Sequence, residues 1–319
     1  MKITKYSILK SKISQRIFGM LKNLVLPGFE GLNFLFVLRF FITGIQKGGI
    51  ITRASAISFK VMLAILPTLI VLLTVIPYIP IENFQEDLLG NIAKLMPSSA
   101  FELFEHTIND LITKKHSTFL SIGFILGLYY SSNTIMAILE GFRSSYHLKT
   151  NTEKSWKLRI KSILLLPILA ILLVVTVALI TLSSHVLDYL REVEIIGHNV
   201  LLIVLKFSSW MLVAFIFLFS ISLLYNIGDL GKLRWRIISA GATLATISFI
   251  IVSLGFAWYV NNFGNYNQLY GSVGTVLVLL LWVYFNCIIL LVGFELNTSI
   301  SMAKKGALTP DRHDDRPRY

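Results

Sequence analysis

The sequence contains little cysteine and little charge, and each shortage excludes a class of protein. Cys287 is the one cysteine among 319 residues, which excludes an intrachain disulfide and a metal site built on cysteines. Charged residues make up only 14% of the chain, whereas hydrophobic residues make up 55%. With a mean hydropathy of +0.72, this composition is rare among soluble domains. We therefore expect an all-α, polytopic membrane protein.

The motifs of common enzymes and ATP-driven pumps are also missing. The six histidines are scattered along the chain without the spacing of metal ligands. There is no Walker loop, glycine-rich dinucleotide loop or nucleophile elbow. The basic N-terminal region lacks the short apolar core and small-residue cleavage site of a signal peptide. We expect a protein that inserts uncleaved and has no enzymatic activity, cofactor or metal.

Long apolar runs take the place of these motifs. An α-helix rises about 1.5 Å per residue, so about 20 apolar residues cross roughly 30 Å of hydrocarbon. The run over 34–45 is shorter and is interrupted by Arg39, so we interpret it as an interfacial helix, with a seventh crossing as the alternative. Six runs are long enough to cross: 56–78, 119–139, 163–183, 201–225, 237–260 and 271–296.

The distribution of charge predicts the orientation of these spans. Nine basic residues and one acid precede the first span, whereas the next loop has three basic residues and six acids. The following connections continue this alternation, and the tail has five basic residues against three acids. Because cytoplasmic segments collect Lys and Arg, we expect six spans with both termini in the cytoplasm. The net charge of +12 then reflects topology and attraction to anionic lipids, with no role in nucleic-acid binding.

These signals divide the chain into three parts. Residues 1–52 form a basic N-terminal region with the interfacial helix, residues 53–300 form the six-span domain, and residues 301–319 form a cytoplasmic tail. The external loop 81–117 has apolar residues at helical spacing over 81–112, interrupted at Pro97. This pattern predicts two amphipathic helices outside the membrane, which either cap the bundle or form a lid at the outer leaflet.

The last span has small and polar residues along one helix face. Such residues let membrane helices approach and form hydrogen bonds, so we expect this face to point into the bundle. Helix packing alone would explain it; the functional alternative is that Trp282 and Asn286 line a path near the bilayer centre. The face consists of Ser272, Thr275, Leu279, Trp282, Asn286, Ile289, Gly293 and Leu296.

Glu295 stands near the end of the same span. It follows Gly271 by 24 residues, or about 36 Å of helix, which places it near the cytoplasmic boundary rather than at the midplane. Lys60 enters the first span at a similar depth. We therefore predict a Lys60–Glu295 pair, with snorkelling of each side chain to the interface as the alternative.

The second span combines close-packing residues with a polar cluster. Gly123 and Gly127 fit close contact with a neighbouring helix. The cluster cannot face a single neighbour, so it predicts a polar cavity on a substrate path. Helix packing and hydrogen bonds to the cluster's own backbone are the alternative. The cluster consists of Ser131, Ser132, Asn133 and Thr134.

Other residues indicate local features of the spans. Glu140 and Arg143, at the cytoplasmic end of the second span, have the spacing of a salt bridge or a contact with lipid headgroups. Pro67 and Pro167 favour kinks in the first and third spans. The fifth span begins with AGATLAT from position 240, a further close-packing surface.

Three stretches resemble the YihY/BrkB membrane protein family. ASAISFKVMLAILPTLIVLL, from Ala54, is similar to its first-span signature, and RWRIISAGATLAT, from Arg234, to its basic loop and fifth span. Most specific is the stretch from Tyr259 to Asn297, which resembles the family's Y-G-S-L-G, tryptophan-tyrosine and G-x-E-L-N pattern, with Val273 where leucine is frequent. The matching positions are Tyr270, Gly271, Ser272, Gly274, Trp282, Tyr284, Gly293, Glu295 and Asn297.

The resemblance implies a bacterial inner-membrane protein with six spans and both ends in the cytoplasm. It implies no nuclease, since an earlier ribonuclease BN label of the family is regarded as mistaken. Together with the polar residues of spans two and six, it favours a transporter or flippase of a lipid or another amphipathic envelope molecule, with membrane lipids as partners. The alternatives are a non-transporting scaffold, acting as a homo-oligomer or with an envelope protein, and a secondary transporter of small solutes.

Overall fold

The protein is described here by a computed structural model that covers residues 28–78, 109–110, 114, 116–146, 148, 154–192, 199–228, 237–262 and 266–308. These residues form seven α-helices and no strand. The external helices predicted over 81–112 lie outside the described residues, apart from positions 109 and 110. The helices are α1 (Phe34–Lys47), α2 (Ile50–Val75), α3 (Ser117–Arg143), α4 (Ser155–Glu192), α5 (Asn199–Gly228), α6 (Ala240–Asn262) and α7 (Tyr266–Leu308).

Six of these helices, α2 to α7, are long and apolar enough to cross a membrane. The six predicted spans are thus confirmed, and the chain is a multi-pass membrane protein. Helix α1 has 14 residues, or about 21 Å, and is too short to cross; its interfacial position stays a prediction. All of these helices except α6 are longer than the predicted spans, and α7, with 43 residues, is about 64 Å long. Both α2 and α4 continue through their prolines, Pro67 and Pro167.

The helices are arranged around α7, which packs against α1, α2, α3 and α6. The most extensive packing in the bundle joins α2 to α3. These two helices are antiparallel, because Lys60 on α2 meets Thr134 on α3, whereas Ile70, further along α2, meets Gly123, earlier on α3. A Cβ on Gly123 would lie 3.1 Å from the Ile70 side chain. Glycine there lets the two helices pack closely, as the sequence predicted.

Aromatic side chains fill the core where α3, α5 and α7 meet. The rings of Phe142 and Phe294 stack at 4.3 Å, and Tyr225 lies edge-on to both. The Tyr225 hydroxyl donates a hydrogen bond to the Leu290 carbonyl at 2.7 Å, so its one polar group is satisfied inside the apolar core. Aromatic packing and this hydrogen bond together join three helices at one level.

A smaller core cluster attaches α1 to the end of α7. Val37 on α1 packs with Leu296, Ile300 and Ala303 on α7 and with Phe29, which precedes α1. An ion pair between Glu30 and Lys304, at 2.5 Å, lies beside this cluster. Helix α1 is therefore held against the end of α7.

Helices α6 and α7 approach so closely that their backbones are nearly in contact. A Cβ on Gly293 would lie 2.6 Å from the Gly241 carbonyl oxygen and 2.9 Å from Ala245 Cβ. Asn297, one turn beyond Gly293, accepts a hydrogen bond from Gly241 N at 2.8 Å and donates one to Ser239 Oγ at 2.9 Å. The N–H of Gly241 lies in the first turn of α6 and has no acceptor within that helix. Asn297 supplies the acceptor and thus caps α6 from α7. This confirms the close-packing surface predicted at the start of the fifth span.

Substituting Gly293 tests this close approach. We expect Gly293→Ala to lower the free energy of unfolding by about 1–3 kcal/mol, because the added methyl group has no space between α6 and α7. Gly255→Ala on α6 is the matched control, since nothing lies within 4 Å of its added methyl group. Thermal unfolding of both purified variants in detergent measures the difference. Equal midpoints for the two variants would contradict the packing described here.

Candidate functional site

Glu295 is a carboxylate with no exposed surface at the meeting point of α1, α2, α3 and α7. Its partner is Arg53, whose Nη2 lies 3.7 Å from Glu295 Oε2 and whose side chain is 11% exposed. Arg53 also donates a hydrogen bond from Nη1 to the Gly141 carbonyl on α3, at 2.6 Å. The pair thus connects α2, α3 and α7.

The predicted pairing of Lys60 with Glu295 is wrong. Helix α2 begins at Ile50, so Arg53 already lies inside the helix and occupies the position opposite Glu295. Lys60, seven residues further along α2, lies 3.9 Å from Glu140 on α3 instead, and both of these side chains are nearly half exposed. Arg53 and Lys60 share one face of α2, so the residue count erred in depth: Glu295 lies level with Arg53, about 10 Å along the helix from Lys60.

The hydrogen bonding of the buried pair is incomplete. Among the described residues, Nε and Nη2 of Arg53 and both carboxylate oxygens of Glu295 have no hydrogen-bond partner. Burying two charges is expensive unless their remaining donors and acceptors are satisfied. Ionisable groups inside membrane helices are rare and mark functional sites by default. The pair is therefore the first candidate for a functional centre.

Two glycines at the end of α1 cover this pair. A Cβ on Gly44 would lie 2.9 Å from Glu295 Cγ, and a Cβ on Gly48, which follows the last residue of α1, would lie 2.8 Å from Arg53 Nη2. Any larger residue at Gly44 would push α1 away from the carboxylate. These glycines were not predicted from the sequence, although their four-residue spacing is the small-residue signal of close helix contact.

An apolar groove of about 720 Å³ lies between α1 and α6, along the same face of α1 that carries Gly44. Its walls are Val37 and Phe41 on α1, Thr243 and Leu244 on α6, and Leu296 on α7, with neighbouring residues of the same segments. Ser239 also lines it, but its hydroxyl oxygen already accepts hydrogen bonds from Ala242 N and Asn297 Nδ2. Such a groove offers little to water, which needs two to four polar partners, and suits an apolar chain.

Trp282 and Asn286 both line a second, smaller cavity. This cavity has a volume of about 270 Å³, lies between α2, α5, α6 and α7, and is also lined by Cys287. Asn286 donates to the Trp282 carbonyl at 2.8 Å, while its Oδ1 has no hydrogen-bond partner among the described residues. Trp282 Nε1 donates to Ser253 Oγ at 3.3 Å.

The predicted inward face of the last span is only partly buried. Asn286, Gly293 and Leu296 are buried, as is Gly274 of the family pattern, whereas Leu279 is exposed. Tyr284, also in that pattern, is partly buried against the main core. For Tyr270, Gly271, Ser272 and Thr275 the structure describes the helical backbone alone.

The polar cluster of the second span is engaged in contacts between and within helices. Thr134 donates to the Lys60 carbonyl on α2 at 3.0 Å, and Ser132 donates to the Tyr129 carbonyl of its own helix at 2.9 Å. Asn133 accepts a hydrogen bond from Arg159 on α4. Ser131 is partly buried, and none of the four residues lines the cavity of Trp282 and Asn286. These contacts favour the packing alternative for Ser132 and Thr134.

Comparison with known proteins gives a family match over most of the chain. Residues 41–318 match the family described as virulence factor BrkB. A Bacillus subtilis (strain 168) protein, YfkH, named as ribonuclease-like, is 29% identical over 254 residues, which cover 80% of this chain and 91% of that protein. A UPF0761 membrane protein of Haemophilus influenzae (strain 86-028NP) is 24% identical over 254 residues, covering 77% and 88%. A UPF0761 membrane protein of Alteromonas mediterranea is 40% identical over 86 residues, covering 27% and 29%. No solved structure matches the chain.

Neutralising one charge of the buried pair tests its role in the fold. We expect Arg53→Met and Glu295→Gln each to lower the free energy of unfolding by about 3–5 kcal/mol, because each leaves an unpaired buried charge or an unmatched polar group. The double variant Arg53→Met/Glu295→Met should recover much of this loss. Unfolding midpoints in detergent, and the fraction of protein that stays monodisperse after heating, measure both effects.

Lys60→Met is the matched control for this experiment. Its partner Glu140 is half exposed, so the loss should be below about 1 kcal/mol. A loss for Lys60→Met as large as that for Glu295→Gln would restore the rejected Lys60–Glu295 pairing.

Proposed function

Because this chain belongs to the virulence factor BrkB family of membrane proteins, we propose that it moves a lipid or another amphipathic envelope molecule across the membrane. The protein acts in the bacterial inner membrane, with both termini in the cytoplasm and without an enzymatic activity of its own. The excess of Lys and Arg in the N-terminal region, in alternate loops and in the tail supports this orientation.

The observation that carries this proposal is that one face of α1 contacts both a buried ion pair and an apolar groove. Gly44 of α1 lies against Glu295, while Val37 and Phe41 of the same helix line the groove. An amphipathic molecule needs an apolar surface for its chain and charged groups for its polar part. A displacement of α1 would change both surfaces together, which is the kind of coupling that transport requires.

The character of the two cavities favours an amphipathic substrate over a small polar solute. Both the groove and the cavity at Trp282 and Asn286 are lined mainly by apolar side chains. A secondary transporter of small solutes would need a polar cavity that replaces the hydration of its substrate. An acyl or isoprenoid chain needs only apolar walls.

A non-transporting scaffold is the second candidate function. The observation in its favour is that the polar residues of α3 bind neighbouring helices: Thr134 binds the backbone of α2, and Asn133 binds Arg159 on α4. In this alternative the same groups only stabilise the bundle, and the exposed helix faces bind a second copy or an envelope protein.

A vesicle assay distinguishes the two functions. We expect the purified protein, reconstituted with fluorescent phospholipids, to accelerate their movement between leaflets, measured by reduction of the outward-facing fluorophore with dithionite. Leu244→Trp, which fills the groove, should abolish most of the acceleration. Ile251→Trp is the matched control, since this residue lies on α6, outside the groove, and is 63% exposed. Absence of acceleration by the unmodified protein, tested with zwitterionic and anionic lipids, would leave the scaffold as the function.

A further inference from the structure

Two cations flank α3 on the outer surface of the bundle, away from α1 and the groove. Lys60 of α2 reaches Glu140 on one side, with 3.9 Å between Nζ and Oε2. Arg159 of α4 reaches Asn133 on the other side, through a hydrogen bond from Nη1 to Oδ1. The two positions are linked through neighbouring residues of α3, since Thr134, next to Asn133, binds the backbone of Lys60 itself.

The residues between these cations form a polar stripe along one face of α3. Tyr129, Asn133 and Glu140 are separated by four and seven residues, which places them on the same side of the helix. Tyr129 and Glu140 are exposed and Asn133 is partly buried. The Arg159 guanidinium lies 5.3 Å from the centre of the Tyr129 ring, so the stripe includes an arginine held over an aromatic face.

This polar stripe is bordered by side chains that suit hydrocarbon. Phe59 is 61% exposed beside Lys60, and Ile160 and Ile163 are about half exposed around Arg159. All three lie on helices that cross the membrane. The charges lie within about ten residues, or roughly 15 Å, of the helix ends where α2 and α4 begin and α3 ends. Long cationic side chains at this depth extend toward the headgroup layer.

The charges of the stripe do not cancel. Lys60 and Arg159 carry two positive charges and Glu140 one negative charge, which leaves a net charge of +1 on this flank. The 3.9 Å separation of Lys60 and Glu140 is longer than a hydrogen bond, and Asn133 uses one of the five donors of Arg159. Both cations therefore have donor capacity for an anion that approaches from the bilayer.

We propose that Arg159 at Asn133 and Lys60 at Glu140, about two turns apart on α3, bind the headgroup phosphates of anionic membrane lipids whose acyl chains lie against the apolar side chains around them. Arginine and lysine both bind phosphate, arginine through two parallel hydrogen bonds. The Tyr129 ring restricts the guanidinium and reduces the entropy lost on binding. The site is separate from α1 and requires no transport, so it does not depend on the function proposed above.

The test uses the full chain in phosphatidylcholine nanodiscs that contain a minority of phosphatidylglycerol. The protein is released from the nanodiscs, and native mass spectrometry counts the lipids that it retains. We expect the unmodified protein to retain phosphatidylglycerol in preference to phosphatidylcholine. Lys60→Gln and Arg159→Gln should each reduce this preference about fivefold, the effect of about 1 kcal/mol per cation near a membrane surface. Lys157→Gln, which removes an exposed cation of α4 that lies over Trp156, is the matched control and should change it little.

Arg159→Lys separates binding from a purely structural role. It keeps the positive charge but cannot reproduce the geometry of the guanidinium at Asn133 and Tyr129. Retention of most of the lipid preference in Arg159→Lys supports a phosphate site, whereas a loss equal to that of Arg159→Gln would overturn it. Three further results would overturn it: equal retention of the two lipids by the unmodified protein, an equal loss in Lys157→Gln, and displacement of phosphatidylglycerol by millimolar inorganic phosphate, which would indicate a site for the free ion.

Discussion

The burial of Glu295 is the constraint on which the centre of this bundle depends. A carboxylate with no exposed surface inside membrane-crossing helices requires a cation, and Arg53 is placed opposite it by the packing of α2 against α7. The cation in turn needs an acceptor for its other nitrogens, and Gly141 of α3 supplies a carbonyl. Three helices are thus fixed in depth relative to one another by two side chains, in a region where apolar packing alone would tolerate sliding.

The residues around Glu295 on α7 contact three different neighbouring helices. Gly293 admits the backbone of α6, Phe294 stacks on Phe142 of α3, and Leu296 joins the cluster that holds α1. Asn297 then caps the first turn of α6. Five consecutive residues cover more than one turn, so their side chains point in all directions from the helix. The central position of α7 therefore gives each residue of the G-x-E-L-N pattern a packing role.

The sequence predicted the parts of the structure that the bilayer imposes. Six apolar runs became six membrane-crossing helices because an unpaired backbone is too costly in hydrocarbon for any other arrangement. Glycine spacing predicted close contacts at Gly123 and at the start of α6 correctly, since only small residues allow such approach. What could not be predicted was how the helices lie relative to one another. Arg53 and Lys60 share one face of α2 at depths that differ by about 10 Å, and only the packing of α2 between α3 and α7 decides which of them is level with Glu295. The partner of Asn133 was missed for the same reason, because Arg159 comes from a helix whose position no local pattern gives.

The break between α1 and α2 explains how the buried pair is covered. Gly49 has a φ of +60°, in the left-handed region that glycine adopts without strain. This residue ends the helix begun at Phe34, and α2 starts immediately after it at Ile50. Without the break, residues 34–75 would form one helix of roughly 63 Å, and Gly44 would be carried away from α7 along the axis of α2. Glu295 and Arg53 would then lose the helix that covers them. Two glycines thus act together: Gly44 lets α1 lie directly on the carboxylate, and Gly49 breaks the helix so that α2 starts beside the same carboxylate.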